Sequence, residues 1–172
     1  MVIACFRLRW PRLCLVVLLG LCLAAPLQAA GPRFIDLAAR VGPDESADDT
    51  AYHELNRWLM LEFNDLCEDF FCEGAHDNYR PLRLACVVDT RDDTLTQCRF
   101  PVSASRDHID PDTGALRTEA LHWLCPLPLP RRLPVATFLA AMDWQPDSSG
   151  HLFNPLPGTG RSMFEFLRDC LP

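Results

Sequence analysis

Residues 66–102 hold most of the side chains that could do chemistry, including four of the nine cysteines and the densest group of carboxylates. One segment there reads Cys67-Glu68-Asp69-Phe70-Phe71-Cys72-Glu73. A disulfide between its two cysteines would close over four residues and hold their side chains outward on a rigid knob, which lowers the ordering cost of binding. The candidate binding residues are Glu68, Asp69, Phe70, Phe71 and Glu73. The alternative is that the phenylalanines turn inward and pack against the helix end, as large aromatics usually do.

Metal binding is a weaker interpretation of the same segment. Five carboxylates fall within thirteen residues: Asp65, Glu68, Asp69, Glu73 and Asp77. Calcium takes about six to eight oxygen ligands of this kind, but the spacing here does not match the calcium-loop pattern. The sequence therefore predicts a solvated acidic surface and no metal site.

Catalytic groups do not assemble along the chain. Residues 158–162 superficially resemble a phosphate-binding loop but lack its lysine and follow no predicted strand, so we interpret them as a helix cap. The sequence contains no G-x-S-x-G motif, and its five histidines are scattered. We predict a protein without catalysis or cofactor, and keep an exported hydrolase as a remote alternative.

The first 29 residues have the layout of a cleaved secretory signal. Arg7, Arg9 and Arg12 precede an apolar run over residues 13–25, and small residues follow at Ala29 and Ala30. We place the cut after Ala29. The apolar run is shorter than the roughly 20 residues that a membrane-spanning helix needs. The expected location is the periplasm of a Gram-negative bacterium or the medium outside it.

The cysteines that remain after this cut predict three disulfides, because their number is even and the context is export. They are Cys67, Cys72, Cys86, Cys98, Cys125 and Cys170. Zinc is the competing interpretation, but no C-x-x-C pair exists.

The cut also leaves 13 basic and 23 acidic residues, a net charge of −10. Such a surface disfavours nucleic acid and anionic membranes and would attract a basic protein, although it also simply aids solubility.

A long amphipathic helix is predicted to open the folded region. Ser46 with Asp49 forms a capping box, and apolar residues then recur at steps of three and four. Those residues are Ala51, Leu55, Trp58, Leu59, Phe63 and Leu66. We expect residues 30–49 to form an N-terminal arm and residues 50–172 to form a single domain.

A β-hairpin follows, because the apolar pattern changes to period two on either side of a polar turn. If Cys86 lies opposite Cys98, both cysteines share the apolar face, and Val88 faces Thr96 across a loop at residues 91–93. This register predicts the disulfide Cys86–Cys98. By elimination among fifteen possible connectivities, we pair Cys67 with Cys72 and Cys125 with Cys170.

The remainder predicts a third strand and two more helices. Residues 110–114 form a turn, and residues 117–125 form a strand with Leu121, Trp123 and Cys125 inward, with a short helix as the alternative for the same residues. Residues 135–142 form an apolar helix, and Thr159 caps the last helix. The fold class is therefore α+β, with a long N-terminal helix and C-terminal helices packed on a small antiparallel sheet and three disulfides.

The cysteine-rich segment resembles a loose group of exported proteobacterial proteins. In that group a helix runs into the pattern C-x-D-x-[F/W]-C-x-G, which residues 67–74 match in full, and two further cysteines follow on strands. The resemblance covers about a third of the chain after the cut and implies no activity. A weaker similarity links the C-x4-C spacing to periplasmic inhibitors of vertebrate lysozyme, whose loop uses a histidine where this one has acidic and aromatic residues.

The sequence thus predicts a small exported, acidic module that binds a protein or serves a structural role. The alternative is an inhibitor of a basic cell-wall hydrolase, acting through the Cys67–Cys72 loop.

Overall fold

A computed structural model describes residues 31–43, 46–72, 74, 76–146 and 149–172, with the side chains of Glu68 and Phe71 excepted. The predicted signal segment and its cleavage site lie outside the described residues. In chain order the elements are β1 (Phe34–Asp36), α1 (Leu37–Val41), α2 (Ala47–Leu66), a π-helical turn (Cys67–Phe71), β2 (Asp77–Pro81), β3 (Ala85–Asp89), β4 (Thr94–Ile109), β5 (Leu116–Leu127), β6 (Leu133–Pro134), α3 (Val135–Met142), a 3-10 turn (His151–Phe153) and α4 (Met163–Cys170).

The six strands form one antiparallel sheet built around β4, which confirms the α+β class. One edge of β4 pairs with β3 and then β2, while the other pairs with β6 and then β5. The strand β1 extends the sheet beyond β3. Within the described residues, no helix is long and apolar enough to cross a bilayer.

The core lies on one face of the sheet, because buried and exposed residues alternate along its strands. Cys86, Val88, Cys98 and Phe100 are buried on the covered face together with apolar residues of the helices. Val87 and its neighbours on the other face are exposed. The period-two alternation in the sequence thus places the cysteines inward, as a half-buried sheet requires.

Hydrogen bonds fix α2 to the connection between β2 and β3. The Tyr52 hydroxyl donates to the Leu84 carbonyl at 3.1 Å, and the Leu84 amide donates to the Asn56 side-chain oxygen at 2.9 Å. Asn56 also donates to the Tyr52 carbonyl. Because each buried polar group has a partner, the polar residues of this interface cost little stability.

All three predicted disulfides are confirmed. The Cα–Cα separations are 5.1 Å for Cys67–Cys72, 4.1 Å for Cys86–Cys98 and 5.7 Å for Cys125–Cys170. The second bridge joins residues that are directly opposite each other in the β3–β4 ladder, as predicted.

The predicted hairpin register is wrong on the turn side of that bridge. A bulge after Val87 shifts the pairing, so Val88 lies opposite Leu95 instead of Thr96. The shift buries Leu95 and leaves the polar Thr96 at the surface. This arrangement is favourable because burial of an apolar side chain stabilises the fold more than burial of a polar one. The turn then occupies residues 90–93, with Asp93 in the left-handed region.

The residues predicted to form an N-terminal arm include β1, which joins the sheet, and Leu37 of α1, which is fully buried. One other prediction differs from the structure. The cap of the last helix is Ser162, not Thr159, because Glu165 lies three residues after Ser162 and completes a reciprocal capping box.

The strands β4 and β5 continue beyond the other strands as a two-stranded ribbon. Residues 106–109 pair with residues 116–119, and the predicted turn at residues 110–114 closes the ribbon. Leu121, predicted to face inward, is 40% exposed because it lies close to this ribbon, where all residues from 116 to 122 are exposed. Cys125 is buried as predicted.

Candidate functional site

The Cys67–Cys72 loop continues α2 as one π-helical turn. In an α-helix, five residues rise about 7.5 Å, which exceeds the roughly 4.4–6.8 Å that a disulfide spans between Cα atoms. The wider turn shortens the separation to 5.1 Å, and the Cys72 amide donates to the Cys67 carbonyl at 2.8 Å. The disulfide and the hydrogen bond therefore close the same turn.

Phe70 lies on the outside of this turn and is 55% exposed. Its ring meets the Phe164 ring of α4 edge-on at 5.6 Å, and Phe164 in turn stacks on Phe153 at 4.9 Å. Asp69 beside it is also exposed. Of the predicted binding residues, the structure thus brings Asp69 and Phe70 to one surface, while the side chains of Glu68 and Phe71 and the whole of Glu73 lie outside what it describes.

A cleft of about 380 Å³ opens beside the cystine. It is lined by Asn64, Cys67, Cys72, His76, Asp77, Asn78, Tyr79 and Arg80. We call the cleft, together with Asp69 and Phe70, the cystine-loop face. Asp77 and Arg80 are exposed, and neither takes part in an ion pair within the described residues.

Two buried polar atoms in this cleft have no hydrogen-bond partner among the described residues. They are the Tyr79 hydroxyl and Nε2 of His76. Tyr79 is only 5% exposed, and burial raises the pKa of its hydroxyl, so the group is a neutral donor at physiological pH. Both atoms belong to side chains that line the cleft, and such unpaired buried polar atoms are uncommon in folded proteins.

A bulge in β2 aims Tyr79 inward. The pairing with β4 shifts between Asp77 and Arg80, where Asn78 has a φ of 53°. Asparagine tolerates this left-handed conformation better than most residues, and a bulge redirects the side chain that follows it. The Tyr79 ring then stacks on Trp123 of β5 at 5.6 Å, and His76 meets the same indole edge-on at 6.2 Å.

Gly74 lies close to this tyrosine. A Cβ at position 74 would lie 3.0 Å from the Tyr79 hydroxyl oxygen, closer than ordinary carbon contacts, so a larger residue there would displace that hydroxyl by a few tenths of an ångström.

The sequence analysis did not identify His76, Tyr79 and Trp123 as site residues. The available signal was a short alternation of its own, in which the buried Tyr79 and Pro81 alternate with the exposed polar residues Asn78 and Arg80. Among the described residues, no group of three His, Cys, Asp or Glu side chains could hold a metal ion, and the Glu68 and Glu73 side chains of the carboxylate cluster lie outside those residues.

No protein-family model, curated protein or solved structure matches the chain. The geometry of the cystine-loop face is therefore the basis for the functional argument.

Proposed function

We propose that this chain is an exported, non-catalytic protein-binding module, and that the cystine-loop face contacts the partner. The observation that carries the proposal is the exposed Phe70 on a cross-linked helical turn, beside a cleft with two unpaired buried polar atoms. The three disulfides support export, because such bridges persist in oxidising compartments.

Phe70 provides an anchor at low entropic cost. The disulfide and the π-turn hydrogen bond already fix its backbone, and the edge-on contact with Phe164 restricts its ring. Burying an exposed phenylalanine in a partner's pocket contributes about 1.5–3 kcal/mol. Aromatic anchors of this kind dominate the energetics of protein interfaces.

The cleft provides specificity. Its exposed lining includes the polar side chains of Asn64, Asp77 and Arg80, with which a partner can form hydrogen bonds. A hydrogen-bonding site of this type favours a partner that carries the matching groups.

The acidic charge favours a basic partner. Asp69 is exposed beside Phe70, and the chain after the predicted cut carries a net charge of −10. Complementary charge accelerates association and weakens with added salt. A basic cell-wall hydrolase of the lysozyme type is a second candidate partner class, favoured by the exposed C-x4-C loop; the module would then act as its inhibitor.

The test is affinity capture by the oxidised protein from extracts and culture medium of the producing organism. The bait is compared with Phe70→Ser and with Phe34→Ser, a matched control because Phe34 is 48% exposed on β1, outside the cystine-loop face. We expect one partner that Phe34→Ser retains and Phe70→Ser loses. Capture of the same proteins by all three baits, or of none, would refute the proposal.

The inhibitor candidate has its own assay. The purified protein is added to a basic lysozyme acting on cell walls, at low and at high salt. Inhibition that requires Phe70 and weakens with salt would identify the target class, whereas unchanged lysis rejects this candidate without affecting the wider binding proposal.

A further inference from the structure

Three aromatic rings surround a second, smaller pocket on another part of the surface. His151 of the 3-10 turn stacks parallel to Trp58 of α2, with ring centroids 5.8 Å apart and an interplanar angle of 6°. Trp144, just after α3, lies 6.0 Å from the same imidazole at 53°. We call Trp58, Trp144 and His151 the aromatic cage. It encloses about 60 Å³, which is enough for the end of one small group.

The imidazole in this cage is held in a fixed orientation by Glu62. One carboxylate oxygen accepts from the His151 backbone amide and lies 2.8 Å from Nδ1, and the other accepts from the Leu152 amide at 2.8 Å. A carboxylate oxygen only accepts, so Nδ1 is the ring nitrogen that donates in this contact.

The floor and the rim of the pocket differ in polarity. The floor consists of the apolar side chains of Leu55, Leu139 and Met142, all buried. The rim carries the carboxylates of Glu54 and Asp143, both exposed and neither in an ion pair within the described residues. An apolar floor, indole walls and an acidic rim suit a cation whose charged nitrogen carries only carbon substituents.

We propose that the aromatic cage binds a quaternary ammonium group. Its methyl groups would contact the apolar floor, and its charge would interact with the Trp144 indole and with the two rim carboxylates, since His151 and Arg57 already contact the Trp58 ring. Such a group carries no N–H donors, so it can enter an apolar floor without losing hydrogen bonds to water. Trp144 is the most accessible wall at 60% exposure.

One positive charge of the chain itself lies near the aromatic cage, although it does not line the pocket. The Arg57 guanidinium carbon lies 4.8 Å from the centre of the Trp58 ring, a cation–π contact. This contact shows that the Trp58 ring accepts a cation. It also predicts that Arg57→Gln binds the ligand about twofold more tightly, since it removes a like charge.

The test is calorimetric titration of the oxidised chain with choline chloride and with 3,3-dimethylbutan-1-ol, its neutral isostere, at constant ionic strength. We expect choline to bind about tenfold more tightly than the isostere, because only choline carries the charge. Trp144→Ala should abolish the difference in affinity between choline and its isostere, while Phe34→Ala on β1 should retain that difference. Glu54→Gln alters only the rim and should weaken choline alone, which keeps the test valid if the tryptophan variant is unstable.

Phosphatidylcholine vesicles distinguish the source of the group. Sedimentation of the protein with them, abolished by Trp144→Ala, would assign the cage to a lipid headgroup, whereas binding to free choline alone would assign it to a small solute. Equal affinity for choline and its isostere, no binding to either, or a choline affinity unaffected by Trp144→Ala would overturn the proposal.

Discussion

The disulfide between Cys125 and Cys170 is expected to contribute most to stability. It joins β5 to the last residue of α4 across 45 positions, whereas Cys67 and Cys72 are only 5 apart. On the chain-entropy estimate, a closed loop of about 46 residues stabilises the fold by roughly 4 kcal/mol, and a loop of about six residues by roughly 2 kcal/mol. The expected difference is about 2 kcal/mol.

The perturbation is the double variant Cys125→Ala/Cys170→Ala, compared with Cys67→Ala/Cys72→Ala. The two pairs are well matched in burial, since each has one buried and one half-buried cysteine. The loss of packing from the missing sulfurs should therefore be similar in the two variants. The difference between their free energies of unfolding then reports the effect of loop length.

The assay is urea unfolding of both variants and of the parent, followed by far-ultraviolet circular dichroism. With a slope of about 1–3 kcal/mol/M, the expected difference corresponds to roughly 1 M in the midpoint. Unchanged slopes establish that all three proteins unfold in the same way. Equal losses, or a larger loss from the Cys67–Cys72 pair, would refute the reasoning that loop length governs these bridges.

Three further predictions concern single groups. Gly150→Ala should lower the free energy of unfolding, measured in urea, by about 3 kcal/mol. A Cβ at this position would lie 2.8 Å from the Glu62 carboxyl group and break the hydrogen bonds of that group to the 3-10 turn. A loss below about 1 kcal/mol would contradict this reasoning. Tyr79→Phe should leave the free energy of unfolding unchanged or raise it by up to about 1 kcal/mol, since the buried hydroxyl has no hydrogen-bond partner among the described residues. A clear loss of stability would reveal a partner for that hydroxyl. Hydrogen bonds from Arg91 and Arg33 lower the pKa of Asp89, so this carboxylate stabilises the fold above its unfolded pKa of about 4, and the contribution disappears as the pH falls below that value. The free energy of unfolding of Asp89→Asn should therefore fall less steeply with decreasing pH than that of the parent. Identical curves for the two proteins would show that this carboxylate does not contribute to the pH dependence.

The features predictable from the sequence depend on local patterns. The helix over residues 135–142, the turn at residues 110–114 and the Cys86–Cys98 pairing each follow from periodicity or turn chemistry within about twenty residues. The other two disulfides followed from parity and elimination. These signals lie within short stretches of chain and need no knowledge of the tertiary structure.

The features that could not be predicted depend on contacts between distant segments. The strand β1 has three residues and is recognisable only from its pairing with β3. The bulge after Val87 depends on whether Leu95 or Thr96 is better buried, which the helices packed on the sheet decide. Likewise, the Glu62–His151 contact joins residues 89 positions apart, and nothing in either local sequence indicates it.

The candidate site was predictable in part. The C-x4-C spacing identifies the loop, but it left open whether Phe70 points outward or packs inward; in the structure this residue is exposed. The adjoining cleft depends on Trp123, which arrives from β5 and stacks on Tyr79 from more than forty residues away. A pattern within one segment could not place these two rings together.

The most direct test of the binding proposal is site-specific photo-crosslinking. The photoreactive residue p-benzoylphenylalanine replaces Phe70 in one protein and Phe34 in another, and each is irradiated in the producing cells. The account predicts a covalent adduct with one partner protein from position 70 and none from position 34, because only Phe70 belongs to the cystine-loop face. Adducts from both positions with the same partner, or none from position 70 while the protein is folded and oxidised, would contradict it.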